Sequence, residues 1–165
     1  MDAITLLVED HRKVEDLISQ YASLSDRTDK IRIFAQISEA LNVHAAFEEL
    51  HFYPAYQQAT QDKELIRTAF EEHQELKDCL KKFQPALSDA EMDSLIQGLK
   101  QVLEEHVHEE ETEMFPKARE ALGDARLKAL GTEYREAKPN LEQQVSLTIM
   151  MLADAAIKTT EEARR

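Results

Sequence analysis

The sequence predicts an all-α fold: an up-down-up-down antiparallel four-helix bundle with an additional C-terminal helical region. Three observations carry that expectation. Only three glycines and four prolines interrupt 165 residues, and the stretches between them are rich in Ala, Leu, Glu, Gln and Lys, the strong helix formers. Apolar residues recur there at i, i+3, i+4 and i+7, the period of a helix buried along one face. The polar segments that separate the stretches are short, and short links favour antiparallel neighbours.

The elements follow in chain order. Leu7, His11, Val14, Ile18 and Tyr21 form the stripe of a first helix. The segment "SLSDRTDK" at 23–30 punctuates the chain with capping residues before a second helix striped by Ile33, Ile37, Leu41, His44 and Glu48. After "QQATQD" at 57–62 comes a third, with Ile66, Phe70, His73, Leu76, Leu80 and Phe83. After "QPALSD" at 84–89 comes a fourth, with Leu95, Leu99, Leu103, His106 and Glu110. "LGDA" at 122–125 precedes a fifth helical region over roughly 124–160, expected to break near Pro139 and to pack outside the four. Residues 1–122 are thus read as the bundle and 123–165 as a helical extension packing on it.

Length and charge bound the function. A chain of this size buries one sizeable core and needs no second domain. A formal charge of −13 leaves no basic stripe for a phosphate backbone, so no nucleic-acid partner is expected. The lone Cys79 permits no intrachain disulfide and suits a reducing, cytoplasmic setting. The N-terminal segment has no basic, apolar signal pattern, and no stretch reaches the roughly 20 apolar residues of a membrane span, so no membrane partner is expected either.

Each helical stripe contains a histidine where another apolar residue was due, and the histidines keep register. "NVHAAFEELHFYP" at 42–54 and "EEHVHEEETEMFP" at 104–116 share His, Glu four residues later and Pro ten residues later, at an offset of 62 residues (106 − 44). His11 and His73 keep the same offset, and "EDHRKVEDLI" at 9–18 answers "EEHQELKDCL" at 71–80. Two helical hairpins related by a pseudo-twofold axis are the expected plan. His and Glu at i and i+4 project from one face of a helix, so the second and fourth helices bring two carboxylates towards the bundle axis. His11 and His73 arrive from the other diagonal.

Six groups then converge: His11, His44, Glu48, His73, His106 and Glu110. Burying them without a cation costs several kcal/mol per unpaired ion, so a metal site is the simplest compensation. Imidazole nitrogens with carboxylate oxygens suit iron, manganese or zinc, and the absence of thiolates argues against a structural zinc finger. Two glutamates between two pairs of histidines meet the needs of a dinuclear centre, since a carboxylate bridges two cations.

The ordered pattern His11, "HAAFE", His73 and "HVHEE" resembles that of the hemerythrin-like, HHE cation-binding domain family, over about residues 3–122. The resemblance implies a non-heme diiron site with a bridging oxo or hydroxo group. In it His11 and His44 serve one iron, His73 and His106 the other, and Glu48 and Glu110 bridge. It further implies a small ligand such as O2, peroxide or NO. In one respect the chain departs from the family's oxygen carriers, which place a further histidine where Lys77 stands. That change leaves an exchangeable position on each iron and argues against simple reversible O2 carriage. Peroxide decomposition is the leading expectation. An oxygen, iron or redox sensor, or an iron-binding protein without catalysis, is the alternative. If the chain self-associates, the C-terminal helices are the expected face of a homodimer.

Around the six lie candidates for supporting roles. Glu15 and Lys77 are repeat-related and one turn beyond a ligand histidine, so they are expected to pair across the bundle, or Glu15 to ligate, unless both reach solvent. His51 and Glu113, three residues beyond the glutamates, are candidates for orienting a carboxylate or carrying protons. Glu49 and Glu111 read as flanking charges and His108 as exposed. Tyr53 and Phe115 read as core aromatics before prolines that predict kinks at Leu50 and Thr112.

Overall fold

Side-chain caps at the segment boundaries organise the chain, which a computed structural model describes over residues 1–165. Helix α1 (Ala3–Ser23) opens on Asp2, whose carboxylate accepts from the Thr5 N–H at 2.9 Å. Helix α2 (Arg27–Phe47) opens on Asp26, which accepts from the N–H groups of Thr28 and Asp29. It continues without a loop through a π-helical turn, Glu48–Phe52, into α3 (Tyr53–Thr60). Asp62 caps α4 (Lys63–Lys81) through the Leu65 N–H at 3.1 Å. Ser88 and Glu91 form a reciprocal capping box at the start of α5 (Asp89–Glu109). A second π-helical turn, Glu110–Met114, leads from α5 into α6 (Phe115–Ala163). Each cap pairs N–H groups that the first turn of a helix leaves without an internal acceptor.

The four arms of the bundle are α1, α2 with α3, α4, and α5 with the start of α6. Helix α1 packs on α2 and α4 on α5, and lighter contacts of α1 with α5 and of α2 with α4 close the square. Arms α2 and α5 therefore face each other across a diagonal. The core divides into two apolar clusters along the bundle axis. One gathers Leu7, Phe47, Phe52, Tyr56, Met114 and Leu127; the other gathers Val14, Ile37, Leu76, Met92, Leu99 and Leu103. On every arm the histidine lies between a residue of one cluster and a residue of the other, so the polar layer is sealed from both ends.

At Gly123 (φ 70°, ψ 168°) the chain leaves helical geometry and doubles back, a left-handed conformation that glycine adopts without a Cβ clash. The remainder of α6 runs antiparallel to α2. Tyr134 packs on Phe47 with ring centroids 4.5 Å apart, and at the other end the Arg27 Nε donates to Thr160 Oγ1 at 3.1 Å. The chain thus turns inside the "LGDA" segment, at Gly123, and the further break expected near Pro139 does not occur. Pro139 lies inside the helix but on its exposed side, where water can satisfy the carbonyl that lacks an N–H partner. No helix is long and apolar enough to cross a membrane.

The N-terminus is pinned beneath α6 at Gly131. A Cβ added there would meet the Met1 carbonyl oxygen at 2.6 Å and the Asp2 carbonyl carbon at 2.9 Å, whereas one added at Gly98 meets nothing within 4 Å. Gly131→Ala should therefore destabilise the chain by about 1–3 kcal/mol through overpacking against backbone. Gly98→Ala, in mid-helix, should stabilise it by about 0.5–1 kcal/mol. Thermal or denaturant unfolding of the two variants reads both signs, and equal effects would contradict the packing described.

Candidate metal centre

Alpha-helical spacing places His44 below Glu48 and His106 below Glu110, and the π-helical turns then decide what comes next. In each turn the N–H of the residue five positions on bonds back to the glutamate carbonyl, Tyr53 to Glu48 and Phe115 to Glu110. A π-turn stacks residue i+5 near residue i, whereas an α-helix at about 100° per residue carries it well off that face. Tyr53 and Phe115 are thereby rotated over the two carboxylates. The anticipated kinks at Leu50 and Thr112 take this form: both residues lie within the widened turns, which end where Pro54 and Pro116 withhold an N–H.

His11, His44, Glu48, His73, His106 and Glu110 are all buried, none more than 3 % exposed, and they converge. The ring centroids of His11 and His44 are 4.8 Å apart, as are those of His73 and His106, while the distances between these pairs are 6.0–6.5 Å. Each carboxylate stands between one ring of each pair. Glu48 Oε2 lies 3.0 Å from His44 Nε2 and 3.2 Å from His73 Nε2. Glu110 Oε2 lies 3.3 Å from His11 Nε2 and 3.5 Å from His106 Nε2. Despite these approaches, the Nε2 atoms of His11, His44 and His106, with Glu48 Oε1 and Glu110 Oε2, have no aligned hydrogen bond. Lone-pair-bearing atoms that face one another without a proton suitably placed between them are suited to share a cation. Donor atoms of His11, His44, His106 and Glu110 lie within 4.8 Å of one another, and so do those of Glu48, His73 and His106.

The outward ring nitrogens meet a second circle of acids. The Nδ1 of His11 lies 2.9 Å from Glu111 Oε1, that of His73 2.9 Å from Glu49 Oε1, and that of His106 3.0 Å from Glu72 Oε2. Asp10 Oδ2 stands 3.7 Å from the Nδ1 of His44. A carboxylate at Nδ1 fixes the proton there and leaves Nε2 free to ligate. The four acids obey the same repeat as the histidines: Asp10 answers Glu72, and Glu49 answers Glu111. Glu49 and Glu111, expected to be flanking charges, are therefore hydrogen-bond partners of His73 and His11. Asp10 and Glu72, which immediately precede ligand-type histidines, were not anticipated; their register with the repeat was the available signal.

The supporting candidates fall differently. Lys77 Nζ lies 2.6 Å from Glu49, and Glu15 lies 2.8 Å from Arg12, which also holds Glu111 at 2.5 Å. Glu15 and Lys77 thus each brace one of the outer acids and do not meet. His51 stacks on Phe47 and faces Glu133 at 3.4 Å, and Glu113 is exposed. Neither joins the centre, because the widened turns rotate both away from the glutamate face. His108 is exposed.

The hydroxyl of Tyr53 enters the cluster. It donates within 2.7 Å of Glu110 Oε1, lies 3.2 Å from Glu48 Oε2 and 3.1 Å from His73 Nε2, and its ring stacks on His73. At the repeat-related position Phe115 stacks on His11 and brings no hydroxyl. At this position one oxygen atom distinguishes the two halves.

Electrostatics follow from this crowding. Burial alone would lower the His73 pKa, but Glu48 and Glu49 outweigh it and raise it to about 9. Burial is likewise outweighed at His44, which Glu48 and Asp10 hold well above the ordinary value. Glu48 is held well below its ordinary value because His44 and His73 outweigh its burial. Burial and the two glutamates push Tyr53 well above the usual phenol range. Glu109 is raised to about 7 by burial and by its neighbour Glu72. Without a cation the cluster stays neutral only by holding protons. A small cavity of about 10 Å³ between α2 and α4 runs from buried His44 and His73 past Leu41, Leu76 and Leu80 to the half-exposed Lys77. That volume is near the limit for a single water-sized molecule.

Comparison with known proteins agrees with this architecture. A hemerythrin HHE cation binding domain-containing protein from Mycobacterium kansasii shares the fold with a TM-score of 0.79, at 24% sequence identity, over 96% of this chain and 99% of that one. A protein of Nostoc sp. (strain PCC 7120) described as a DNA nickase is 26% identical over 137 residues, 82% of this chain. The match spans only 39% of that relative's length. The family model for the hemerythrin HHE cation binding domain matches residues 2–118, most of the chain, and the chain belongs to that family.

Proposed function

We propose that His11, His44, Glu48, His73, His106 and Glu110 bind two iron ions, the glutamates bridging, and that the centre reacts with small oxygen species, peroxide foremost. The observation that carries this reading is the placement of each carboxylate between two histidines of different pairs, with the Nε2 atoms of His11, His44 and His106 and Oε2 of Glu110 lacking hydrogen bonds. Histidine pairs 4.8 Å apart suit one ion each, and all-nitrogen-and-oxygen donors suit iron. Bound irons would supply one-electron steps that let one peroxide be oxidised to O2 while another is reduced to water.

The chain's own residues set the conditions. The two apolar clusters exclude bulk water, and the cavity beside Lys77 has room for no more than about one water-sized molecule. The outer acids hold the Nδ1 protons and orient the rings. Tyr53 keeps its proton in the metal-free chain and presents it at Oη between Glu48 and Glu110, where it can serve as acid towards a small oxygen ligand or as a further oxygen donor. Residues 1–122 form the metal-binding unit in this reading, with residues 123–165 packed on it. A reducing, cytoplasmic setting suits its lone cysteine.

Purified, iron-loaded protein given hydrogen peroxide should release O2 over many turnovers per site. A chain that bleaches within a few turnovers is a sensor or iron-binding protein instead. Tyr53→Phe, which copies the residue of the opposite half, should retain both ions, alter the optical spectrum and lower turnover by about 10²-fold or more. Unchanged turnover would remove Tyr53 from the chemistry.

The metal-free chain should also report its protons. His73 gains stability on folding because its pKa is raised from 6.5 to about 9. That contribution is fully present below about pH 6.5 and is lost as pH rises through about 9. The melting temperature of metal-free protein should therefore fall across that window, and that of metal-loaded protein should fall less, since the ions displace those protons. A metal-free melting temperature that rises across the window would contradict the charge pattern.

A further inference from the structure

Three of the four outer acids sit at hydrogen-bond distance from their histidine, at 2.9, 2.9 and 3.0 Å, and one does not. Asp10 stands 3.7 Å from His44 Nδ1, which has no hydrogen-bond partner. Its side chain is one methylene shorter than that of its repeat-mate Glu72. The Asp10 oxygen nearest His44, Oδ2, accepts instead from the hydroxyl of Tyr134, and Oδ1 accepts from Lys138 Nζ at 3.1 Å. Lys138 also donates to the Tyr134 hydroxyl at 3.0 Å. Glu49 and Glu111 have cationic neighbours too, Lys77 and Arg12, but both keep their histidine. Asp10 differs in that its competitors come from α6, which lies outside the four arms.

We propose that Tyr134 and Lys138 are positioning residues through which the C-terminal helix holds Asp10 off His44 and so weakens the metal ion that His44 serves. This rests on the two-ion reading above. A carboxylate bonded to the Nδ1 proton makes a histidine a stronger donor. Here that carboxylate is engaged by a phenol and an ammonium, and of the four outer acids it stands farthest from its histidine. A solvent-open cavity of about 300 Å³ borders Asp10, Tyr134, Lys138 and Glu142, so the three interacting groups are not locked by close packing on that side. Linkage makes the effect reciprocal: loading the ion at His44 changes the pull on Asp10, and with it the anchoring of α6.

The test is metal affinity by competition with a chelator, using ferrous iron, on the full chain. Tyr134→Phe retains the ring packed on Phe47, and Lys138→Met offers an independent lever should the first variant fold poorly. Each should tighten the weaker of the two ions by several-fold up to about tenfold and leave the tighter one unchanged. Asp10→Asn should loosen the same ion by about 10–100-fold. The reduction midpoint of the loaded centre should fall in Tyr134→Phe and rise in Asp10→Asn. Amide protection of residues 130–140 should change on metal loading in the unaltered chain and less so in Tyr134→Phe. Opposite signs at Tyr134 and Asp10 are the signature, because a merely structural role would loosen both ions in every variant. Two ions bound with affinities that Tyr134→Phe and Lys138→Met leave unchanged or weaken would overturn the coupling alone. A chain that takes up no metal would overturn the two-ion reading together with it.

Discussion

The structure depends on how two carboxylates and four imidazoles are kept out of water. They occupy a single layer between two apolar clusters, and no loop or terminus reaches them. In that setting every lone pair needs a partner, because an unpaired buried charge costs several kcal/mol. The outward nitrogens of His11, His73 and His106 are provided for by acids at the bundle's margin. The inward nitrogens of His11, His44 and His106 are not: they face glutamate oxygens at 3.0–3.5 Å without alignment. Cations in the middle would convert this arrangement from a cost into the strongest contact in the core. The apolar clusters then serve both to exclude water and to keep the six side chains from relaxing outward.

Duplication explains the economy of the plan, and its breaks explain the specificity. One hairpin supplies histidine, outer acid, second histidine and glutamate; the other supplies the same set 62 residues later, down to the outer acids Asp10/Glu72 and Glu49/Glu111. Among the repeat-related positions that differ, two bear on the buried layer. Tyr53 brings a hydroxyl where Phe115 brings none, so the chemistry of the two faces differs. Asp10 is drawn to Tyr134 and Lys138 where Glu72 stays with His106, so the two ions would differ in support. A pseudo-symmetric cage thus has asymmetric surroundings on its two sides.

Much of this was legible in the chain. Helix boundaries followed from Asp26, Asp62 and Ser88, which do cap the elements they precede. The six converging residues followed from a repeat that a merely apolar core would not keep in register. What escaped was set by geometry that a period of 3.6 residues does not contain. The π-turns moved Tyr53 onto the carboxylates and His51 and Glu113 away from them, and helical wheels drawn through residues 44–56 and 106–118 misplace all three. Pro139 is a helix breaker by composition but is tolerated on an exposed face, so the chain turns only at Gly123, inside the boundary segment the sequence did mark. The role of Tyr134 was out of reach for another reason: its partner Asp10 is 124 residues away, and no local pattern marks a long-range contact.

The central claim is that two cations lie between the histidine pairs. Anomalous diffraction from crystals of the iron-loaded protein, collected on either side of the iron absorption edge, tests it most directly. The account predicts two edge-specific peaks, one beside His11 and His44 and one beside His73 and His106, with the carboxylates of Glu48 and Glu110 reaching both. An empty layer closed by ordinary hydrogen bonds, or metal found only at surface acids, would contradict it.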